Sequence, residues 1–262
     1  MGRRSSMRVC LFCPDKAGNA EHVVAEWLSK AMDRRQDGIV TALQTDAGLK
    51  RVRPPIRFQS LTSKHVCGKC NNGWMSDLEA EFKNLFEPLV VPRSFDEGTT
   101  VNALLQDRWD LLARWLLKSA IVAQSSLPKA DPPVISDKFR GMLKTNLRGQ
   151  DLHVYAAEIL EPDFAIKLKK GYRTFNAGKF QDGQGHKDGF NFSIQLNHLG
   201  LALISCPTAF AGAKSPYTRD GKHVMPIIPF NGVYPEGEQI GHAFDDFGDF
   251  VECIEVYATL PQ

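Results

Sequence analysis

Four cysteines in two closely spaced pairs are the residues of this chain best suited to chemistry. Cys10 and Cys13 form the motif CLFC, and Cys67 and Cys70 form CGKC. Two thiolates separated by two residues reach one ion from a single tight turn, and two such pairs supply the four ligands of a tetrahedral zinc site. We therefore expect the four to bind one structural Zn²⁺, with residues 14–66 looped out between the pairs. Unrelated pairs or a redox-active CxxC motif are the alternatives.

The order of motifs in the first third of the chain resembles that of one enzyme superfamily. The first cysteine pair is followed by EHVVAEWL, which begins at Glu21, and the second pair runs into NNGWMSDLE, which begins at Asn71. This arrangement resembles the HNH, or His-Me finger, endonuclease superfamily, in particular bacterial and phage-type variants with a CxxC pair, an EH-I/V motif and CxxCNNGW-M-S-D-LE. The resemblance covers residues 10–82, and CGKCNNGWMSDLE is its most specific part.

The resemblance implies a small ββα unit that carries the catalytic groups. A β-hairpin would present Glu21 and His22, the following helix would present an Asn, and the zinc would staple together a unit too small to bury much core. His22 would be the general base, since a neutral imidazole accepts a proton from water near pH 7. Glu21 and Asn71 would ligate a catalytic Mg²⁺ or Mn²⁺ through oxygen atoms, with Asn72 as the alternative to Asn71.

Each of these residues also has a structural interpretation. Glu21 is compatible with a carboxylate near a helix N-terminus and His22 with a surface histidine. Asn71 and Asn72 are compatible with helix capping, which does not exclude metal binding. The neighbouring cysteine motifs favour the catalytic interpretation of Glu21 and His22.

Other residues of the motif region favour structural roles. We expect Trp74 in the core, Asp77 and Glu79 on an exposed helix face, and His65 as a core or solvated side chain. The alternative for Asp77 and Glu79 is that their carboxylates add negative charge near the metal. For His65 the alternatives are support of a ligand or replacement of a zinc thiolate.

Three features differ from the superfamily pattern. An Asn often precedes the second cysteine pair, whereas this chain reads QSLTSKHVC, in which Thr62 or Ser63 is the candidate replacement. Ala25 stands where a Pro usually follows the His, and the segment between His22 and Cys67 is long. A zinc-stapled finger that binds nucleic acid without cutting it is therefore an alternative.

The net charge of +2 is too small to indicate nucleic-acid binding by itself. The excess of basic residues lies in the first 92 residues, mainly around Arg3, Arg4 and Arg8 and in the cluster Lys50, Arg51, Arg53 and Arg57. We therefore expect Arg51, Arg53 and Arg57 to contact nucleic-acid phosphates. Solvated loops are the alternative.

Hydrophobic spacing predicts the elements that position these motifs. Residues 21–32 are helical or mixed, and 38–62 form a hairpin or an irregular insertion. A helix begins near residue 72 with one apolar face, which comprises Trp74, Leu78, Phe82 and Leu85. Further helices are predicted at 103–124, where Leu112, Leu116 and Ala120 share a stripe, and at 136–147, where Ser136 is the expected N-cap.

From residue 150 the pattern changes to strands. LHVYAAEI, FAIKL, FNFSIQL, LGLALIS and FVECIEVYA run apolar or alternate, and Asn197 and His198 are placed to close a hairpin. Cys206 and Cys253 lie in two of these apolar runs and are expected to be buried thiols. We predict an α+β fold: a zinc-stapled ββα unit at 1–92, then an accessory region at 93–262. That region has helices over 103–147 and a mainly antiparallel sheet over 150–262.

The function expected from this resemblance is a metal-dependent endonuclease that hydrolyses phosphodiester bonds in DNA, with RNA as the alternative substrate. A catalytically silent zinc module that binds nucleic acid or protein is the second interpretation, and an unrelated enzyme in the sheet half is the third. The C-terminal region would recognise a target or partner, or form a homodimer. Because no apolar run approaches the roughly 20 residues of a membrane span, we expect a cytoplasmic protein. Phage-associated or antiviral defence contexts fit the resemblance.

Overall fold

A computed structural model describes residues 8–33, 38–45, 48–57, 60–91, 108–126, 135–143, 147, 152–170, 173–176, 179–182, 189–205, 218–219, 222–223 and 243–257. Helices and strands are mixed along this part of the chain, and all strand pairs but one are antiparallel, which confirms the α+β expectation. None of the described helices has the length and apolar content of a bilayer span.

The first third is built on two antiparallel strands. β1 (Asn19–His22) pairs with β4 (Thr62–Val66), and Glu21 lies opposite Ser63. The chain between them forms α1 (Glu26–Ala31) and the expected hairpin of β2 (Gly38–Thr45) with β3 (Gly48–Arg57).

A nearly continuous helical segment follows β4. It consists of α2 (Gly68–Cys70), a π-helical turn (Asn71–Met75) and α3 (Ser76–Val90). Gly73 interrupts the helical backbone with φ −104° and ψ −122°. The segment therefore starts four residues earlier than the apolar pattern alone predicts, directly at the second cysteine pair.

Two further helices follow, and the longer one packs against α3. α4 spans Trp109–Ser126 and α5 spans Lys138–Met142. Phe82 of α3 stacks between Phe86 and Trp115, with ring centroids 4.1 and 3.9 Å away, so a column of aromatic rings joins α3 to α4. Leu112, Leu116 and Ala120 are fully buried, as their spacing predicts. Residues 103–107 of the predicted helix lie outside the described residues.

The sheet of the second half has the order β11–β5–β8. β5 (Leu152–Lys170) is antiparallel to β8 (Phe190–Ser205), and β11 (Ala243–Phe244) is parallel to β5. α6 (Phe247–Tyr257) covers one face. Four short strands form two further pairs: β6 (Arg173–Asn176) with β7 (Lys179–Asp182), and β9 (Thr218–Arg219) with β10 (Lys222–His223).

Buried apolar side chains form two clusters on opposite faces of this sheet. The first core contains Cys10, Cys67 and Cys70, with Cys13 packed against it, together with buried side chains of α1, α3, α4 and one face of the sheet. The second core lies between the other face and α6, and its members are Tyr155, Ala157, Ile159, Ala202, Ile204, Phe244, Phe250, Val251 and Ile254. The cysteine region and the sheet thus share one continuous core.

At Asn197, β8 changes which of its two faces points into the first core. Over 190–196 the even-numbered residues are in that core, whereas over 199–203 the odd-numbered residues are. Asn197 makes this change with a φ of 55°, a left-handed conformation that Asn tolerates better than most residues. Its Nδ2 donates to the carbonyl of Val90 at 2.5 Å. The hairpin expected at Asn197 and His198 is therefore wrong, because the chain continues as one strand.

Two further local expectations are wrong. The described part of FVECIEVYA, residues 250–257, lies in a helix instead of a strand, because Phe250, Val251 and Ile254 at helical spacing fill the second core. Ser136 does not cap α5: Asp137 occupies the N-cap position without a side-chain cap, and Ser136 Oγ is buried without a partner among the described residues. Cys206 and the side chain of Cys253 lie outside the described residues.

Candidate functional site

The four cysteine sulfurs converge at one point. Their Sγ atoms all lie within 4.8 Å of one another, and Cys13 Sγ is 3.5 Å from that of Cys67 and 3.6 Å from that of Cys70. A tetrahedron with Zn–S bonds of about 2.3 Å has sulfur–sulfur edges of about 3.8 Å, whereas a disulfide requires about 2.05 Å. All four cysteines are free thiols, so the group can hold one metal ion, and its size fits zinc. The two pairs are thus not unrelated.

Backbone amides support these sulfurs from both cysteine pairs. Cys10 Sγ accepts from the N–H groups of Phe12 at 3.5 Å and Cys67 at 3.3 Å, and Cys67 Sγ accepts from Cys70 N–H at 3.4 Å. Hydrogen bonds of this kind favour the thiolate form. The contact from Cys67 to Cys10 also joins the two pairs directly, which explains how distant segments form one site.

Without a metal ion, the thiols of Cys13 and Cys67 differ in pKa. The pKa of Cys67 is lowered to about 7, first because the Cys70 backbone N–H donates to it. The Asp15 backbone N–H acts to lower the pKa of Cys13, but desolvation and the neighbouring sulfurs outweigh it and raise that pKa to about 12. Since a metal binds thiolates, loading the site releases protons and depends on pH.

Trp74 covers the site. Its ring meets Phe12 edge-on, with centroids 5.3 Å apart. Burial raises the pKa of Cys70, and the Trp74 indole N–H opposes that rise. This N–H is buried and has no hydrogen-bond partner of normal geometry in the described part of the chain. Trp74 is partly buried against the first core, close to its expected place.

The EH pair lies at the end of β1, and the two asparagines lie in the π-helical turn. Glu21 and His22 are both half-buried. Asn71 is half-buried and donates its backbone N–H to the Cys67 carbonyl at 3.0 Å, while Asn72 is exposed. The start of β1 lies close to the start of the helical segment. A Cβ added at Gly68 would lie only 3.3 Å from Asn19 Nδ2.

Glu21 belongs to a buried ion cluster, which also contains Glu79 and Lys118. Lys118 of α4 is 1% exposed, and its Nζ contacts Glu79 Oε1 and lies 3.4 Å from Glu21 Oε1. Glu79 also accepts from Trp27 Nε1 at 3.1 Å and Trp115 Nε1 at 3.0 Å. The expectation that Glu79 lies on an exposed helix face is therefore wrong, because its carboxylate is the acceptor at the centre of this cluster. Asp77 is exposed, as expected.

The charges of this cluster do not cancel. Two carboxylates face one ammonium, which leaves one negative charge when all three are ionised. Burial raises the pKa of Glu21, Lys118 lowers it and Glu79 raises it again, with a net rise. Glu21 is thus an incompletely solvated carboxylate in a cluster with one uncompensated negative charge, and such a group favours a proton or a cation.

Sequence reasoning missed Lys118. The signal was available, since Lys118 interrupts the apolar run WLLKSAIVA, and a charge in such a run requires a partner. The partner was not predictable, because Glu21 is far away in sequence and lies on a strand.

Ser63 connects β4 to α4. Its Oγ lies 2.6 Å from Ser125 Oγ and 3.4 Å from His65 Nδ1, and it accepts from the His65 backbone N–H at 3.2 Å. Ser63 therefore ties down the strand that precedes the second cysteine pair. His65 does not belong to the group of sulfur ligands.

The expected phosphate-binding arginines are placed only by their backbone. Arg51, Arg53 and Arg57 lie on β3, opposite Ala42, Thr41 and Gly38. Their side chains, and Arg3 and Arg4 entirely, lie outside the described residues.

Comparison of the whole chain with protein-family models, curated proteins and solved structures finds no match in any of the three.

Proposed function

We propose that this chain is a metal-dependent endonuclease of the HNH type, which hydrolyses phosphodiester bonds in DNA, with RNA as the alternative substrate. The observation that supports it best is the placement of the motifs in space. Glu21 and His22 end a strand that pairs antiparallel with β4, and Asn71 and Asn72 begin the π-helical turn in the helical segment after β4. Four sulfurs that fit zinc join the two ends of this unit.

In this proposal His22 accepts a proton from the water that attacks phosphorus. The carboxylate of Glu21 and the amide oxygen of Asn71 or Asn72 would hold a hard divalent ion, and the donor types fit such an ion. When bound, Mg²⁺ or Mn²⁺ supplies charge neutralisation at the phosphate and at the leaving oxygen. Arg51, Arg53 and Arg57 on β3 would contact flanking phosphates.

The remaining assignments follow from the same proposal. Structural zinc would hold the strands and helix in register. The sheet region would recognise a target or an activating partner, or form a homodimer. A cytoplasmic location and a phage-associated or antiviral defence role fit a nuclease of this kind.

One observation favours a second candidate, a zinc module that binds nucleic acid or protein without catalysis. Glu21 Oε1 already contacts Lys118 inside the protein. A carboxylate engaged in this way has a structural function even if no divalent ion binds.

Cleavage of supercoiled plasmid and of single-stranded DNA, with Mg²⁺ or Mn²⁺, separates the two candidates. We expect wild type to cut and His22→Ala to lose about 10² to 10⁴ of the rate, as removal of a general base does. Asn71→Ala and Asn72→Ala form a matched pair. The variant that lacks the metal-ligating amide should lose cleavage activity, and the other should cut as wild type does. Zinc content and thermal unfolding should match wild type in all three variants. Equal cutting by wild type and His22→Ala, or DNA binding without any cutting, would contradict the nuclease proposal.

A further inference from the structure

Glu79 does not need Lys118 to satisfy its hydrogen bonds. The indole N–H groups of Trp27 and Trp115 donate to Oε2 and Oε1 of this carboxylate, one to each oxygen. Lys118 nevertheless places an ammonium there with 1% of its side chain exposed. Desolvating such a charge is unfavourable, and a protein with an apolar residue at a site of this kind is often as stable or more so. The position of Lys118 therefore calls for an explanation beyond stability.

The second contact of Lys118 supplies that explanation. Its Nζ lies 3.4 Å from Glu21 Oε1, and the Glu21 side chain is only 13% exposed. The backbone of Glu21 is fixed by pairing with Ser63 on β4. Among the described residues, Lys118 is the one hydrogen-bond donor to this carboxylate. It therefore fixes the rotation of the Glu21 carboxylate from the interior side.

We propose that Lys118 is a positioning residue, which holds the Glu21 carboxylate in the orientation that binds a divalent cation. The proposal rests on the nuclease function proposed above and adds a residue that the HNH-like motifs do not contain. The two tryptophans hold Glu79, Glu79 holds the ammonium, and the ammonium holds Glu21. Removing a partner of this kind from a ligating carboxylate typically weakens metal affinity 10- to 100-fold.

Manganese affinity of the zinc-loaded full chain tests this without any turnover. Binding of Mn²⁺ removes the electron paramagnetic resonance signal of the free ion, so titration gives a dissociation constant. Glu21→Gln identifies the site, and we expect it to abolish binding there. Lys118→Met should weaken binding 10- to 100-fold. Lys30→Met should bind as wild type does, because Lys30 forms an exposed pair with Glu26, with side chains 49% and 57% exposed.

A charge-matched double variant separates position from charge. Glu79→Gln with Lys118→Met removes one negative and one positive charge, so the cluster keeps its net charge of one negative while the ammonium contact to Glu21 is lost. It also leaves neither Glu79 nor Lys118 as a buried charge without its partner, so it remains informative if Lys118→Met alone does not fold. We expect it to bind Mn²⁺ 10- to 100-fold more weakly than wild type, with zinc content unchanged.

The possible failures are distinguishable. If Glu21→Gln loses Mn²⁺ but both Lys118 variants bind it as wild type does, the positioning role is overturned and the nuclease proposal stands. If Lys118→Met binds Mn²⁺ more tightly than wild type while the double variant binds as wild type does, Lys118 acts through charge alone, because losing the ammonium makes the cluster more negative, and the positioning role is again overturned. If wild type binds no Mn²⁺ at Glu21, both proposals fall.

Discussion

Replacing Glu79 with Gln should destabilise the protein far more than its place in an amphipathic helix suggests. The carboxylate accepts from Lys118, Trp27 and Trp115, and the ammonium it neutralises is buried. Leaving one partner of a buried pair uncompensated costs about 3 to 5 kcal/mol, and the low end applies here because Glu21 Oε1 remains 3.4 Å from the ammonium. The amide nitrogen of Gln also faces a donor, which leaves an indole N–H unsatisfied at about 1 to 3 kcal/mol. Because the two effects overlap, we expect a loss of about 4 to 6 kcal/mol in the free energy of unfolding.

The matched control is Glu26→Gln on α1. Glu26 pairs with Lys30 at 2.6 Å, but both side chains are about half exposed, so its loss should cost under about 1 kcal/mol. Asp77→Asn, an exposed change in the first turn of α3, should behave like Glu26→Gln. Because Glu26 and Lys30 are also in close contact, the difference between Glu79→Gln and Glu26→Gln tests the effect of burial and not of contact distance.

Urea unfolding followed by tryptophan fluorescence and circular dichroism measures these differences, with zinc present throughout. The dependence of the unfolding free energy on urea should stay the same, so that only the midpoint moves. A loss below about 1 kcal/mol for Glu79→Gln, equal to that of the surface controls, would refute the reasoning. It would mean that water reaches Lys118 in solution.

Three further predictions follow from other parts of the structure. Cys67→Ser, or a strong chelator, should release about one zinc per chain and abolish the near-ultraviolet circular dichroism of the tryptophans, and retention of that signal would show that the fold does not need the metal. Burial lowers the pKa of Lys118, but two carboxylates outweigh it and raise that pKa above its ordinary 10.5. The folded state thus holds this proton more tightly, so urea midpoints of wild type should fall above about pH 10.5, while Lys118→Met should lack this component. Gly200→Ala should cost about 1 to 3 kcal/mol in urea unfolding, since the added Cβ would lie 2.7 Å from Ile159 Cδ1. Gly141→Ala, with nothing within 4 Å, should be neutral or slightly stabilising, and equal effects would contradict the packing.

Local spacing was sufficient where the relevant contacts are local. The cysteine pairs predicted their own convergence, because two residues between thiols suit one ion. Period-two alternation placed Phe190 and Phe192 on the core face of β8, and spacing by four placed Leu112 and Leu116 on the buried face of α4.

Sequence reasoning failed where packing overrides local preference or where partners are distant. The β-branched residues around Val251 favoured a strand, but the second core requires a helix there. The sequence predicts a turn at Asn197, whereas its left-handed backbone changes the inward face of a continuous strand. Glu79 was assigned to solvent because the three donors that reach it come from α1 and α4.

The hairpin of β2 and β3 lies between two segments of the chain that are firmly held together. Its flanks are held by the β1–β4 pairing, by the sulfur cluster and by the Cys67 N–H bond to Cys10. When the ends of a loop are already fixed, doubling its length adds only about 0.6 kcal/mol of closure entropy. Insertions, deletions or exchanged sequences in this hairpin should therefore leave Glu21 and His22 in place. The molecule thus offers a segment in which the surface presented by β3 can diverge or be engineered independently of the residues at its base.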